Sequence, residues 1–359
     1  MDNLKHLRDE IARYTSLDAP SGYEEPVLAA VKEDLQQCCD HVEVDIRGNV
    51  YGHQPGEPNG PKLMITAHAD EIGFQITSIL PNGFLRFCKI GGPTSMVLPG
   101  QRVKVLAGQK LAGVIGVRPG HVLTPAEARQ VPSTDQLYID VGACSASQAC
   151  EWGIEPGTPA VFDGELTATA NPDRYFGKSV DNRMGIVSVL EVARRLQAEA
   201  TVATRCYAIV VEEEVGLRGA LVAAQHLSPD VVIAIDTTPA GGTPDLATDQ
   251  LPWHIGQGPL LKVRETRGVL THGPLREWLR QIAAKLEIPY QLIVDTAGVT
   301  DATSAQQAGS QIAATVIGLA RRYSHSAVEM FDLPDVERII QWTTAAAREL
   351  TSMEPLRRV

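Results

Sequence analysis

Four stretches of this chain are almost unbroken runs of apolar residues: KLMIT at 62–66, RCYAIVV at 205–211, VVIAI at 231–235 and IAATVIGL at 312–319. A strand with one wet face alternates apolar and polar residues. A strand that is apolar throughout must be covered on both faces, which is the condition of a mostly parallel sheet packed between helices. The segments between these runs supply the helices. Residues 180–198 carry Met184, Val187, Leu190 and Val192 towards one side, and helical patterns recur at 217–227, 274–287, 302–308 and 335–350. Two more precede the first run, at 4–16 and 24–37, and Ser21 with Glu24 has the spacing of a capping box for the second. VEVDI, PLLKVRE and YQLIV read as further strands. The fold class is therefore α/β, a mostly parallel, doubly wound sheet.

Between residues 71 and 165 the texture changes. Short strands (FQITSIL, FLRFCKI, QRVKVLAG, LAGVIGV, LYIDVG, PAVF) follow one another with many glycines, and ASQACEWG at 146–153 is the one helical pattern. Short strands at regular spacing indicate a small β-barrel or sandwich. The chain thus divides into an α/β domain over 1–70 and 166–359 and an inserted β domain over 71–165.

Bulk composition excludes several classes. A net charge of −11 over 359 residues argues against a nucleic-acid partner, which needs a basic face. No stretch has the length to span a bilayer, and the charged first residues lack a signal peptide's apolar run. Cys38, Cys39, Cys88, Cys144, Cys150 and Cys206 form no CxxC pair or disulfide-like spacing, which suggests free thiols in the cytoplasm and no cysteine-ligated zinc.

The chemistry lies where the apolar runs stop. Open α/β sheets bind ligands at the carboxyl ends of their strands. KLMIT runs into His68 and Asp70, RCYAIVV into Glu212, Glu213 and Glu214, and VVIAI into Asp236. Each has an ordinary reading: a solvated turn for the glutamates, a satisfied histidine, a turn-capping aspartate. Asp181, at a helix start, favours the helix dipole whatever its role, and His325 could be a loop residue. Together, two histidines and at least three carboxylates form a mixed nitrogen and oxygen donor set suited to Zn²⁺, Co²⁺ or Mn²⁺.

Read in order, SGYEEPV, TAHADEIGF, VLPGQRV, GVIG, DVGACS, KSVDNRMG, VEEEVGLRGA, IDTTPAGGTPD, TDATSAQQAG and RYSHSAVEM resemble the M42 family of metalloaminopeptidases nearly end to end. The resemblance implies a zinc-peptidase-like α/β fold and two divalent metals, Zn²⁺ or Co²⁺ before Mn²⁺. His68 and Asp236 would hold one, Glu214 and His325 the other, and Asp181 would bridge them. Glu213 would be the general base towards a metal-bridging water, and Asp70 would orient His68. It further implies short peptides with a free N-terminus as substrates, and a homo-oligomer joined through the inserted domain, plausibly a dodecamer built from dimers. Glu212 has no role in this scheme. Gly242, Val299 and Ser304 depart from common family residues and are candidates for the pocket lining.

Competing readings are another metal-dependent hydrolase on the same site, a deacylase or a glycoside hydrolase, and a non-catalytic assembly subunit. Glycoside hydrolysis uses two flanking carboxylates and gives the histidines no purpose. A serine hydrolase is disfavoured because the chain has no GxSxG.

Overall fold

The computed structural model describes residues 2–309 and 311–358. Its centre is an eight-stranded sheet in the spatial order His41–Val44, Val50–Gln54, Thr204–Val210, Lys62–His68, Val231–Pro239, Ala313–Arg321, Leu260–Arg264, Gln291–Val294. The four central strands, which are the four apolar runs, are mutually parallel. Their side chains alternate between two cores. Leu63, Ile65, Ile233 and Ile317 pack with the helices Asp2–Thr15, Glu25–Gln36, Val180–Leu196, Gly273–Lys285 and Leu333–Glu349. Met64, Ala208, Val232 and Val316 pack on the other face with Arg218–Leu227 and Asp301–Ala305.

The edges depart from the parallel rule. His41–Val44 and Val50–Gln54 form a hairpin, whose short turn permits only antiparallel pairing, and Val50–Gln54 joins Thr204–Val210 antiparallel. Asp45 holds that turn by accepting from the backbone N–H groups of Arg47 and Asn49. Leu260–Arg264 also runs antiparallel to its central neighbour, and Gln291–Val294 closes the sheet parallel to it.

Between Gly73 and Phe162 the chain forms a closed six-stranded barrel in the order Gly73–Ile79, Leu85–Ile90, Tyr138–Asp140, Gln109–Gly116, Arg102–Ala107, Pro159–Phe162. It has its own core, in which Phe74 meets Phe87 and Phe162 edge to face, with centroids 5.2 and 5.1 Å away. A charge network centred on the buried Lys178, Glu71 and Asp18 ties the barrel to the rest of the chain. Lys178 Nζ donates to both oxygens of Glu71, at 2.9 and 2.8 Å, and lies 3.2 Å from Asp18, which Lys104 and Lys110 of the barrel also reach.

Two local readings change. Ser21 does not cap the second helix: Glu24 is its N-cap position and no side chain bonds there. Both residues are drawn instead into the site below. The pattern at 180–198 is a helix, Val180–Leu196, but Asp181 and Asn182 at its start have non-helical torsions. Asp181 is thereby turned towards the strand ends.

Candidate active site

Each central strand delivers its polar residue to the same edge. His68 ends Lys62–His68, Glu213 and Glu214 follow Thr204–Val210, Asp236 lies within Val231–Pro239, and His325 is in the loop after Ala313–Arg321. Asp181 reaches the same point from the irregular start of Val180–Leu196. Its carboxylate lies between the two histidines: Oδ1 is 3.1 Å from His68 Nε2, and Oδ2 is 3.5 Å from His325 Nε2. His68 Nε2 is also 3.9 Å from Glu213 Oε2 and from Asp236 Oδ1, while His325 Nε2 is 3.6 Å from Glu214 Oε1. The donor atoms fall into two sets, His68 with Glu213 and Asp236, and Asp181 with Glu214 and His325, each within 4.8 Å. Glu213 thus lies close enough to join the first set, whereas the family resemblance makes it a base.

The electrostatics are set by burial and by the crowding of carboxylates. Burial, reinforced by repulsion from Asp181, pushes both Glu214 and Asp236 up to about 7. Burial also raises Glu213 well above the usual carboxylate range, with Asp236, Glu214 and Asp301 adding to it. Asp181 behaves oppositely. Burial alone would raise it, but Arg321, His325 and His68 together hold it well below the usual value. Burial would lower His68, and the facing Glu213, Asp181 and Asp70 outweigh that and raise it.

A surrounding layer fixes these side chains. Asp70 is fully buried, and its Oδ1 accepts from the Glu213 N–H at 3.0 Å. Its Oδ2 accepts from the Glu214 N–H at 3.1 Å and from Ser21 Oγ at 2.6 Å. His68 Nδ1 lies 3.1 Å from the Asp70 carbonyl and 3.4 Å from Oδ1, which leaves Nε2 facing the site. Glu24 accepts from the Glu212 N–H at 3.2 Å. On the other side, Glu329 accepts from the N–H groups of Asp181 (3.0 Å) and His325 (2.9 Å) and pairs with Arg321, which also pairs with Asp181. The barrel takes part as well: the Gly92 carbonyl lies 3.0 Å from His325 Nδ1. Gly91 has φ +67°, and a Cβ there would come within 3.0 Å of Glu214 Oε2, so the loop can approach only as glycine.

Ser21, Glu24, Glu329, Arg321 and the Gly92 carbonyl were not singled out for the site from sequence. Glu329 carries the clearest signal, four residues beyond His325 in RYSHSAVEM; Ser21 and Glu24 were masked by a capping pattern. Glu212 turns away from the cluster to pair with Arg47 at 2.7 Å and Arg218 at 3.2 Å. Of the three pocket candidates, Val299 lines the cavity at the site, which measures about 590 Å³. Gly242 instead adjoins His254 and Arg322, and the Ser304 hydroxyl is turned to the Asp301 carbonyl of its own helix.

Ser21→Ala removes one of three donors to the Asp70 oxygens. Losses in such outer layers weaken metal affinity or activity by about 10–100-fold. The same loss is expected here, beside a lowered melting temperature of the metal-free protein from the lost bond to a buried carboxylate, with recovery of both in Ser21→Thr. Zn²⁺ titration followed by metal analysis checks it, and wild-type affinity in Ser21→Ala would rule out the role.

The sequence profile of the M42 glutamyl aminopeptidases matches residues 48–341. The chain belongs to the M42 family. An aminopeptidase from Desulfurococcus kamchatkensis superposes with a TM-score of 0.93 at 37% identity, covering 99% of this chain and 97% of that one. A lysyl aminopeptidase of Pyrococcus furiosus is 33% identical over 93% of this chain and 94% of its own length. The Pyrococcus horikoshii TET1 peptidase, described as assembling into a tetrahedron or a large octahedral shell, superposes at TM-score 0.85 and 30% identity, covering 96% of this chain and all of its own. This M42 protein is accordingly an aminopeptidase, a hydrolase acting as an exopeptidase, and its family is metal-dependent. No helix among its described residues is long and apolar enough to cross a membrane.

Proposed function

We propose that this M42 protein is a dinuclear metal-dependent aminopeptidase that removes N-terminal residues from short peptides. The observation that carries the reading is the Asp181 carboxylate, with one oxygen towards His68 and the other towards His325. The donor chemistry fits two divalent cations: two imidazoles and neighbouring buried carboxylates, two of them raised to about 7 by burial and by Asp181. His68 and Asp236 would hold one cation, Glu214 and His325 the other, and Asp181 both. Zn²⁺ and Co²⁺ suit this set, with Mn²⁺ also compatible. When bound, such cations polarise the scissile carbonyl and make a nucleophilic water available near neutral pH.

The remaining steps belong to the chain. Glu213 accepts the proton of the attacking water and passes it to the departing amine. Asp70 holds both His68 and the backbone that carries Glu213 and Glu214. The carboxylate-rich mouth favours a substrate's free α-ammonium group. We further propose that residues 71–165 form the inserted unit through which copies associate, as dimers that build a dodecamer. Light scattering tests that part, and a stable monomer at micromolar concentration would count against it.

The activity is tested with one leucyl peptide, free or N-acetylated, and metal-reconstituted protein. Cleavage of the free peptide alone, abolished by chelation, is the expected result. Equal cleavage of both forms would replace the exopeptidase reading with an endopeptidase or a deacylase.

A further inference from the structure

The geometry points to a preference of this site for a neutral, apolar first side chain over an acidic or a basic one. This rests on the aminopeptidase reading and adds the substrate class. Beyond the donor side chains, the cavity wall next to Asp236 is made by Thr237, Pro239, Lys262, Asp295, Ala297 and Val299. The opposite wall, Gly91, Gly92, Gly216 and Leu217, has no charge at all. An acidic substrate side chain would need a cation with a free donor on these walls, and a basic one would need a free carboxylate oxygen.

Apart from the donor carboxylates reserved for the cations, the described residues of the wall next to Asp236 offer neither at its surface. Lys262 is buried, and its ammonium donates to Glu265 at 3.0 Å and Asp295 at 3.1 Å, so two acids surround one base. Arg321, the other cation of the lining, pairs with Asp181 and Glu329 through its terminal nitrogens, and its unpartnered Nε is buried. Asp295 is equally committed: Oδ2 takes Lys262, and Oδ1 accepts from the N–H groups of Ala297 and Gly298 at 2.9 and 3.0 Å. The fixed charges of this wall are buried and ion-paired inside the fold. What it offers an incoming side chain is the apolar surface of Pro239, Ala297 and Val299. Drawing an unpaired charge against it costs desolvation with no compensating bond, whereas an apolar side chain gains by burial.

The test is a panel of leucyl, glutamyl and lysyl p-nitroanilides with the metal-reconstituted protein, together with Val299→Lys. Val299 is 44% exposed at the rim, so a longer side chain there has room. The expected kcat/KM for the leucyl substrate exceeds both charged ones by about 100-fold or more, the scale of discrimination set by a charge left unpaired. In Val299→Lys the glutamyl-to-leucyl ratio rises at least about tenfold, since a free ammonium then faces the subsite. A glutamyl or lysyl rate within a few-fold of leucyl would overturn the inference, and so would an unmoved ratio in Val299→Lys. Cleavage of none of the three would instead overturn the aminopeptidase reading on which it stands.

Discussion

Glu213→Gln is expected to reduce turnover by about 10²–10⁴-fold, the usual worth of a positioned acid or base, while the protein keeps two metals per chain. Gln preserves volume and one carbonyl oxygen but cannot take a proton at neutral pH. Glu213 faces the cavity beside His68, and Asp70 fixes its backbone. The same geometry allows a rival role, because its Oε2 lies with His68 and Asp236 in one potential donor set. The two roles part in the metal analysis. A base leaves stoichiometry unchanged in Glu213→Gln, whereas a ligand takes bound metal from two towards one. Near wild-type turnover would eliminate both.

The distribution of legible and illegible features in this chain has a physical basis. The central sheet could be read because burial on both faces leaves no room for polar alternation, and Ile233 or Val316 announces that directly. His68, Glu213, Glu214 and Asp236 could be placed at one sheet edge because each follows such a run, whereas Asp181 at a helix start and His325 in a loop carry no such signal. The sheet's edges could not be read: His41–Val44 and Leu260–Arg264 take their direction from the connections before them, which periodicity does not encode. Ser21 and Glu24 show a subtler failure. Their spacing satisfies a local rule for starting a helix, yet their hydrogen bonds go to Asp70 and to the Glu212 backbone, 49 and 188 residues away in sequence. A long-range partner with a buried charge outweighs a local cap worth about 1 kcal/mol. Gly92 was invisible for another reason: it acts through a backbone carbonyl, and any residue name carries one. The contribution of the barrel to the site therefore emerges only when His325 Nδ1 and that carbonyl are placed 3.0 Å apart.

Metal binding by this protein is expected to weaken steeply as pH falls below 7, and the stabilisation it confers to shrink in parallel. In the metal-free protein Glu214 and Asp236 titrate at about 7, chiefly through burial and then through the charge of Asp181. As proposed ligands both must be ionised to hold a cation, so below that pH these two groups alone release up to two protons on binding. Their share of the fall in apparent affinity reaches about 100-fold per pH unit. The sign for the metal-free fold follows from the same shift. Ordinary unfolded carboxylates titrate near about 4. Between there and 7 the folded chain keeps protons that the unfolded chain has released. The stability these groups contribute is thus full below about pH 4 and is lost as pH rises through 7. Asp181 and Asp70 are shifted down and work in the opposite sense, but their change falls below the ordinary carboxylate range and leaves the window from 5 to 8 untouched. His68, shifted up, loses its own contribution as pH rises and must also shed a proton to coordinate, which extends the trend above 7. Thermal melts with saturating Zn²⁺ or with chelator, at pH 5.5, 6.5 and 7.5, should show a gap in Tm that widens at each step. A gap independent of pH would mean that the cation is held by groups already ionised throughout, and Glu214 and Asp236 would then lose their place as ligands.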